Sequence, residues 1–204
     1  MERLKRNFYE GNALDVGKNL LGKILVHRKG KRLLSGRIVE VEAYVGAIDK
    51  AAHSFNNRRT QRTEVMFGPG GYAYIYLIYG MYYCMNVVTG KAGEASAVLL
   101  RAIEPLEGIE EMAWNRYDKG IETLAKSQKL GLTNGPGKLC KALGITKENY
   151  GDDLQGERLY ICEDKTFEPG EIASSKRMNI DYAQEAKDFE WRFFIKGNPY
   201  VSKG

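Results

Sequence analysis

Tyr72-Ala73-Tyr74-Ile75-Tyr76-Leu77-Ile78-Tyr79-Gly80-Met81-Tyr82-Tyr83-Cys84-Met85-Asn86-Val87-Val88 is the stretch that decides the architecture. Six of the chain's 13 tyrosines fall between positions 72 and 83. The first six residues alternate, which puts Tyr72, Tyr74 and Tyr76 on one face of a strand. The period breaks at Ile78-Tyr79-Gly80-Met81 and resumes at Tyr82, so a β-hairpin with an aromatic and apolar tip is predicted. A tyrosine and a methionine stand at that tip where solvent favours polar residues. Two readings follow. Either the tip folds back onto its own domain, or it projects to wedge into a base stack or a protein interface.

Upstream, residues 37–44 alternate as well: Val39, Val41 and Ala43 point one way, and Ile38, Glu40, Glu42 and Tyr44 the other. A strand at 23–27, a polar turn at Lys29-Gly30-Lys31 and a helix from Ala13 capped by Asn12 precede it. Residues 46–71 read as an irregular loop holding Asp49, His53, Arg58, Arg59 and Arg62. A loop of that length in a small domain is usually functional or mobile. Downstream, 97–103 reads as a buried strand carrying Arg101 and halted by Glu104-Pro105. Helices are expected at 108–116 and 139–143, the second opening after Gly135-Pro136-Gly137 with Lys138 in its first turn. Residues 191–195 read as a last strand. Strands and helices mix without regular βαβ alternation. The expectation is one α+β domain over 1–204, with a curved, mostly antiparallel sheet and a protruding β-hairpin.

With 204 residues the chain can bury a core without disulfides or metal. Hydrophobic residues at 43% and charged residues at 28% argue against general disorder. No run approaches the ~20 apolar residues of a membrane span. No apolar stretch follows the charges of Met1-Glu2-Arg3-Leu4-Lys5-Arg6-Asn7-Phe8, so no secretory signal is expected and a cytoplasmic, nucleoid-associated protein is. Cys84, Cys140 and Cys162 lie far apart and only two histidines are present, so a zinc site is not expected. The net charge of +5 permits a polyanionic partner without demanding one.

Glu42 ends an apolar strand. If that face is covered, its carboxylate is partly desolvated and suits a general base or the stabilisation of a developing cation. The alternative is a rim glutamate in an ion pair, and Glu40 on the same face is a rival. Arg101 lies in a strand too apolar for a free charge and needs a carboxylate, for which Glu42 is suited. Tyr44, Tyr74 and Tyr76 offer either stacking faces for a planar ligand or core tyrosines. His53 is either a hydrogen-bonded structural residue or a contact to a base edge or phosphate. Gly135-Pro136-Gly137-Lys138 is either a phosphate contact or simply a turn.

Taken together, Glu42-Ala43-Tyr44-Val45-Gly46, Ala51-Ala52-His53-Ser54, the hairpin run from Tyr76 to Asn86, Leu99-Leu100-Arg101-Ala102-Ile103-Glu104-Pro105-Leu106-Glu107-Gly108, Gly135-Pro136-Gly137-Lys138-Leu139-Cys140 and Trp191-Arg192-Phe193 resemble the alkyladenine (3-methyladenine) DNA glycosylases of the mammalian type. The match runs in order over nearly the whole chain, as a bacterial member without the vertebrate N-terminal tail. The resemblance implies an enzyme that flips a damaged purine from double-stranded DNA and hydrolyses its N-glycosidic bond, leaving an abasic site. It implies Glu42 as the general base, with Arg101 and the backbone carbonyl of Met178 helping to hold the attacking water. Tyr44, Tyr76 and His53 would enclose the flipped base, and Asn86 would crowd out the amino group of guanine. Tyr79 would fill the gap from the minor groove with Met81 in support, and Lys138 would contact DNA. A monomer without metal, cofactor or lyase activity is expected.

The chemistry agrees with that scheme. A methylated adenine is cationic, so its glycosidic bond is already weakened, and one carboxylate can stabilise the oxocarbenium-like state. Electron-rich tyrosines attract a cationic base. Two other classes compete. A non-catalytic interaction module explains the tip but not Glu42 with Arg101. A sugar hydrolase using Glu40 and Glu42 needs carboxylates flanking the bond, whereas residues two apart on a strand share one side at ~7 Å.

Overall fold

The computed structural model describes residues 1–202. Its helices are α1 (Arg6–Tyr9), α2 (Ala13–Leu20), α3 (Ile109–Tyr117), α4 (Lys126–Leu130) and α5 (Pro136–Leu143). Its strands are β1 (Ile24–Lys29), β2 (Arg32–Tyr44), β3 (Ala73–Ile78), β4 (Tyr82–Thr89), β5 (Ser96–Glu107), β6 (Leu159–Cys162), β7 (Ile172–Ser175) and β8 (Arg192–Ile195). All paired strands are antiparallel, in the order β3-β4-β5-β2-β1-β6. The 13-residue β2 is the spine. One edge of it pairs with β5; the other is shared by β1 along 32–37 and β8 along 40–42, and β7 adds to β8. A mixed α+β domain on a curved antiparallel sheet follows, as the strand pattern suggested.

Helices cover one face of the sheet. Asn12 caps α2 by accepting from the amides of Leu14 and Asp15, and α2 buries Ala13, Val16, Gly17 and Leu20. Gly17 brings the helix close: a Cβ there would stand 3.5 Å from Phe193 and 3.7 Å from Val41 and Val98. Helix α5 lies on β4 and β5, and α3 packs on α5. Val41 therefore faces the helices, leaving Glu42 and Tyr44 for the opposite face.

Two expectations about the strands are corrected. The second strand begins at Arg32 rather than residue 37, and β5 is not halted by Glu104-Pro105 but continues to Glu107. β2 starts early because residues 32–37 pair with β1, and β5 runs on because of an irregularity in its own ladder. Pro105 sits opposite Gly36 at a register shift, a place where a strand tolerates proline. Gly36 is required there, since a Cβ would fall 2.7 Å from Ile103 and 2.8 Å from the Glu104 carbonyl oxygen.

Two further register shifts bracket Glu40. Val39 on β2 and Arg101 on β5 are the extra residues, unpaired in the β2–β5 ladder. The first breaks the alternation, so Ile38 joins Val39, Val41 and Ala43 in the apolar core instead of sharing a face with Glu40. The second re-aims Arg101.

The hairpin closes on the pair Ile78 and Tyr82. Tyr79 and Gly80 between them are left-handed, at φ 53° and 70°. The tip does not fold back: Tyr79 is 76% exposed and Met81 67%.

Candidate active site

On the face away from α2 lies a cavity of about 490 Å³. Glu42, Tyr44, His53, Tyr76, Asn86 and Arg101 all line it, gathered from β2, the 46–71 loop, β3, β4 and β5. Tyr79 and Met178 reach its rim and wall. Met81 and Lys138 are not in the lining. Lys138 is exposed and donates to Asn134 Oδ1 at 2.8 Å. Its helix nevertheless abuts the hairpin, because a Cβ on Gly137 would meet Tyr82 at 3.0 Å. Among the described residues, no three His, Cys, Asp or Glu side chains gather as a metal-binding group.

Glu42 is wholly buried. Its Oε1 accepts from the Met178 N–H at 2.8 Å and lies 3.2 Å from Arg101 Nη1, and its Oε2 accepts from the Tyr44 hydroxyl at 2.9 Å. Burial, then the Glu42 charge, keeps that hydroxyl protonated well above the usual tyrosine range. An ionised carboxylate has about four lone-pair sites, so these two hydrogen bonds and the ion pair leave capacity for a further donor. The Met178 contact to Glu42 runs through its amide, whereas the resemblance pointed to its carbonyl.

Glu40, the rival carboxylate, is saturated. It accepts from Arg101 Nε at 2.9 Å, Arg192 Nε at 2.7 Å, and the Ser202 hydroxyl and N–H, each at 2.7 Å. Burial alone would raise its pKa. Arg101, Ser202 and Arg192 outweigh burial and hold it below the usual range. Glu40 does not line the cavity. Arg101 spans both carboxylates. Burial works against its charge, and Glu42 and Glu40 more than restore it.

His53 accepts from or donates to the Tyr74 hydroxyl through Nδ1 at 2.8 Å. Burial first, then Arg62 and Arg58, push its pKa down to about 4, so the ring is neutral at pH 7. Its edge meets Tyr76, with ring centroids 4.8 Å apart at 77°. Tyr74 also lines the cavity but is 1% exposed, its ring centroid 5.4 Å from that of Tyr76, so it offers little open face for stacking. Asn86 sits opposite Tyr74 across the β3–β4 ladder and donates from Nδ2 to the Tyr74 carbonyl at 3.1 Å. The sequence reading missed the Tyr74–His53 bond, the Met178 amide and the roles of Arg192 and Ser202. Of these residues only Ser202 lies outside the positions and motifs the sequence points to; the contacts themselves carry no local signal.

A buried carboxylate thus lines an aromatic-walled cavity beside an exposed hairpin tip, an arrangement able to hold a planar ligand against a negative charge. The family model described as methylpurine-DNA glycosylase matches residues 7–199. The chain is 60% identical over 201 residues to an Alkaliphilus oremlandii protein, covering 98% of this chain and 99% of that one. It is 54% identical over 202 residues to one from Desulfitobacterium hafniense, covering 99% of each, and 53% identical over 203 residues to one from Clostridium novyi, covering all of both. All three bear the name "Putative 3-methyladenine DNA glycosylase". The chain belongs to the methylpurine-DNA glycosylase family, and is thus a DNA-repair hydrolase acting on N-glycosyl bonds.

Proposed function

We propose that the protein removes alkylated or deaminated purines, 3-methyladenine and hypoxanthine among them, from duplex DNA by base flipping and water attack, leaving an abasic site. The observation that carries this reading is Glu42: wholly buried, held by two hydrogen bonds and the Arg101 ion pair, and lining a tyrosine-walled cavity of about 490 Å³.

The cavity lining and the family membership support the following steps. Tyr79 enters the stack from the minor groove and occupies the space of the extruded base, with Met81 supporting it and Lys138 contacting the backbone nearby. Tyr44 and Tyr76 take the base between them, and neutral His53 contacts its edge. A neutral imidazole adds no charge against a cationic lesion. Asn86 narrows the floor against the amino group of guanine. The Glu42 charge stabilises the oxocarbenium-like state as the C1′–N bond breaks, and Glu42 then takes the proton of the attacking water as the C1′–O bond forms, while Arg101 holds the carboxylate. A cationic base leaves neutral, and hypoxanthine takes up one proton from water as it leaves. The tyrosine faces favour cationic bases.

Among the described residues no lysine lines the cavity, which supports a monofunctional enzyme. The test uses duplex DNA carrying one hypoxanthine or 3-methyladenine. Alkali-labile strand breaks are expected after incubation with the protein, and no adduct is expected on borohydride treatment. No alkali-labile sites with either lesion would overturn the reading, and a trapped covalent adduct would overturn the monofunctional step.

A further inference from the structure

Behind the cavity wall lies a second ion pair, Arg177 with Asp49, whose side chains are both 0% exposed. Arg177 Nη1 donates to Asp49 Oδ2 at 2.5 Å and to the Ala43 carbonyl at 2.8 Å; Nη2 donates to Asp49 Oδ1 at 2.9 Å and to the Ala186 carbonyl at 3.0 Å. Its Nε is buried without a partner among the described residues. The guanidinium is stacked 4.7 Å from the centroid of Tyr44 and 5.0 Å from that of Trp191. Asp49 further accepts from the amides of Val45 at 3.1 Å and Ala51 at 2.9 Å.

A buried ion pair is weak grounds for stability, since apolar replacements of like volume are often neutral or stabilising. The location of this one points elsewhere. Ala43 is the residue between Glu42 and Tyr44. Asp49 ties down the loop that reaches His53 two residues after Ala51. Arg177 immediately precedes Met178, whose N–H donates to Glu42. Tyr44 lines the cavity and Arg177 does not, so the guanidinium backs the ring from the buried side. One forked group therefore touches the backbone beside Glu42, the ring of Tyr44 and the loop that leads to His53, and it immediately precedes Met178.

We propose that Arg177, braced by Asp49, is a positioning residue for base excision: it fixes the plane of Tyr44 and aims the Met178 amide at Glu42. The proposal rests on the role of Glu42 given above. Small misplacements of reacting groups cost on the order of 10²-fold in rate. The double variant Arg177→Met/Asp49→Leu removes both charges and spares the fold an unpaired one. Arg177→Lys keeps a charge opposite Asp49 but loses the fork and the flat stacking surface.

The experiment measures single-turnover release of hypoxanthine from a duplex, affinity for a duplex bearing a tetrahydrofuran abasic analogue, and Tm. The expected result is a loss of about 10²-fold in rate for the double variant and about tenfold for Arg177→Lys. Analogue affinity is expected to stay within about threefold, while Tm is expected to fall in the double variant, which removes the partners of the Ala43 and Ala186 carbonyls and of the Val45 and Ala51 amides. Wild-type rates in both variants would overturn the proposal. So would a rate loss matched by an equal loss of affinity, the mark of a purely structural pair. Failure of the wild type itself to release base would instead overturn the glycosylase reading, and the shared assay separates the two.

Discussion

Glu40 and Glu42 stand two residues apart on one strand and differ only in what surrounds them. Glu40 accepts four hydrogen bonds and does not line the cavity, whereas Glu42 accepts two, pairs with Arg101 and lines it. The strand alternation showed both carboxylates, and nothing local separated them. The partners that do so, Ser202, Arg192 and Met178, lie more than 130 residues away in sequence. His53 gives a prediction at the same scale. Its folded pKa of about 4 lies below the ordinary 6.5, so the unfolded chain binds the extra proton first. The stability it contributes is present above pH 6.5 and is lost as pH falls through about 4. Between pH 7 and pH 4.5, wild type is expected to lose more Tm than His53→Gln. Equal losses would contradict a neutral, buried imidazole.

At the scale of elements, the hairpin was legible and the bulges were not. Tyrosines at period two, then Gly80, announce two strands and a turn. Arg101 lay in an apolar run that gives no sign of the extra residue in β5, because a bulge is a relation between two strands. Pro105 misled for the same reason: it reads as a stop, and only the shifted partner Gly36 lets the strand pass. The tip carries a cost that favours a functional reading. Tyr79 is held at φ 53° with its ring 76% exposed, a conformation unfavourable by roughly 1 kcal/mol or more for a bulky residue. Tyr79→Gly is therefore expected to leave stability unchanged or raise it by up to about 1 kcal/mol in urea unfolding. The same change is expected to weaken base extrusion, followed by 2-aminopurine fluorescence beside the lesion. An unaltered fluorescence signal would contradict the wedge role.

Across the whole molecule, the buried charges join what the chain order separates. Arg101 from β5, Arg192 from β8 and Ser202 near the carboxyl end converge on Glu40 in β2, while Arg177 closes on Asp49 from the other side of the sequence. Removing one member of such a set is costly where exchanging the whole set is not. Glu40→Gln is expected to lose about 3 kcal/mol in urea unfolding, and Glu42→Gln distinctly less. A smaller loss at Glu40 than at Glu42 would contradict the division of labour between them. That division is the centre of the account, and single-turnover release of hypoxanthine by wild type and Glu42→Gln tests it most directly. With binding to an abasic-analogue duplex as control, Glu42→Gln is predicted to bind within a few-fold of wild type and to release base about 10²- to 10⁴-fold more slowly. Release at the wild-type rate would contradict it.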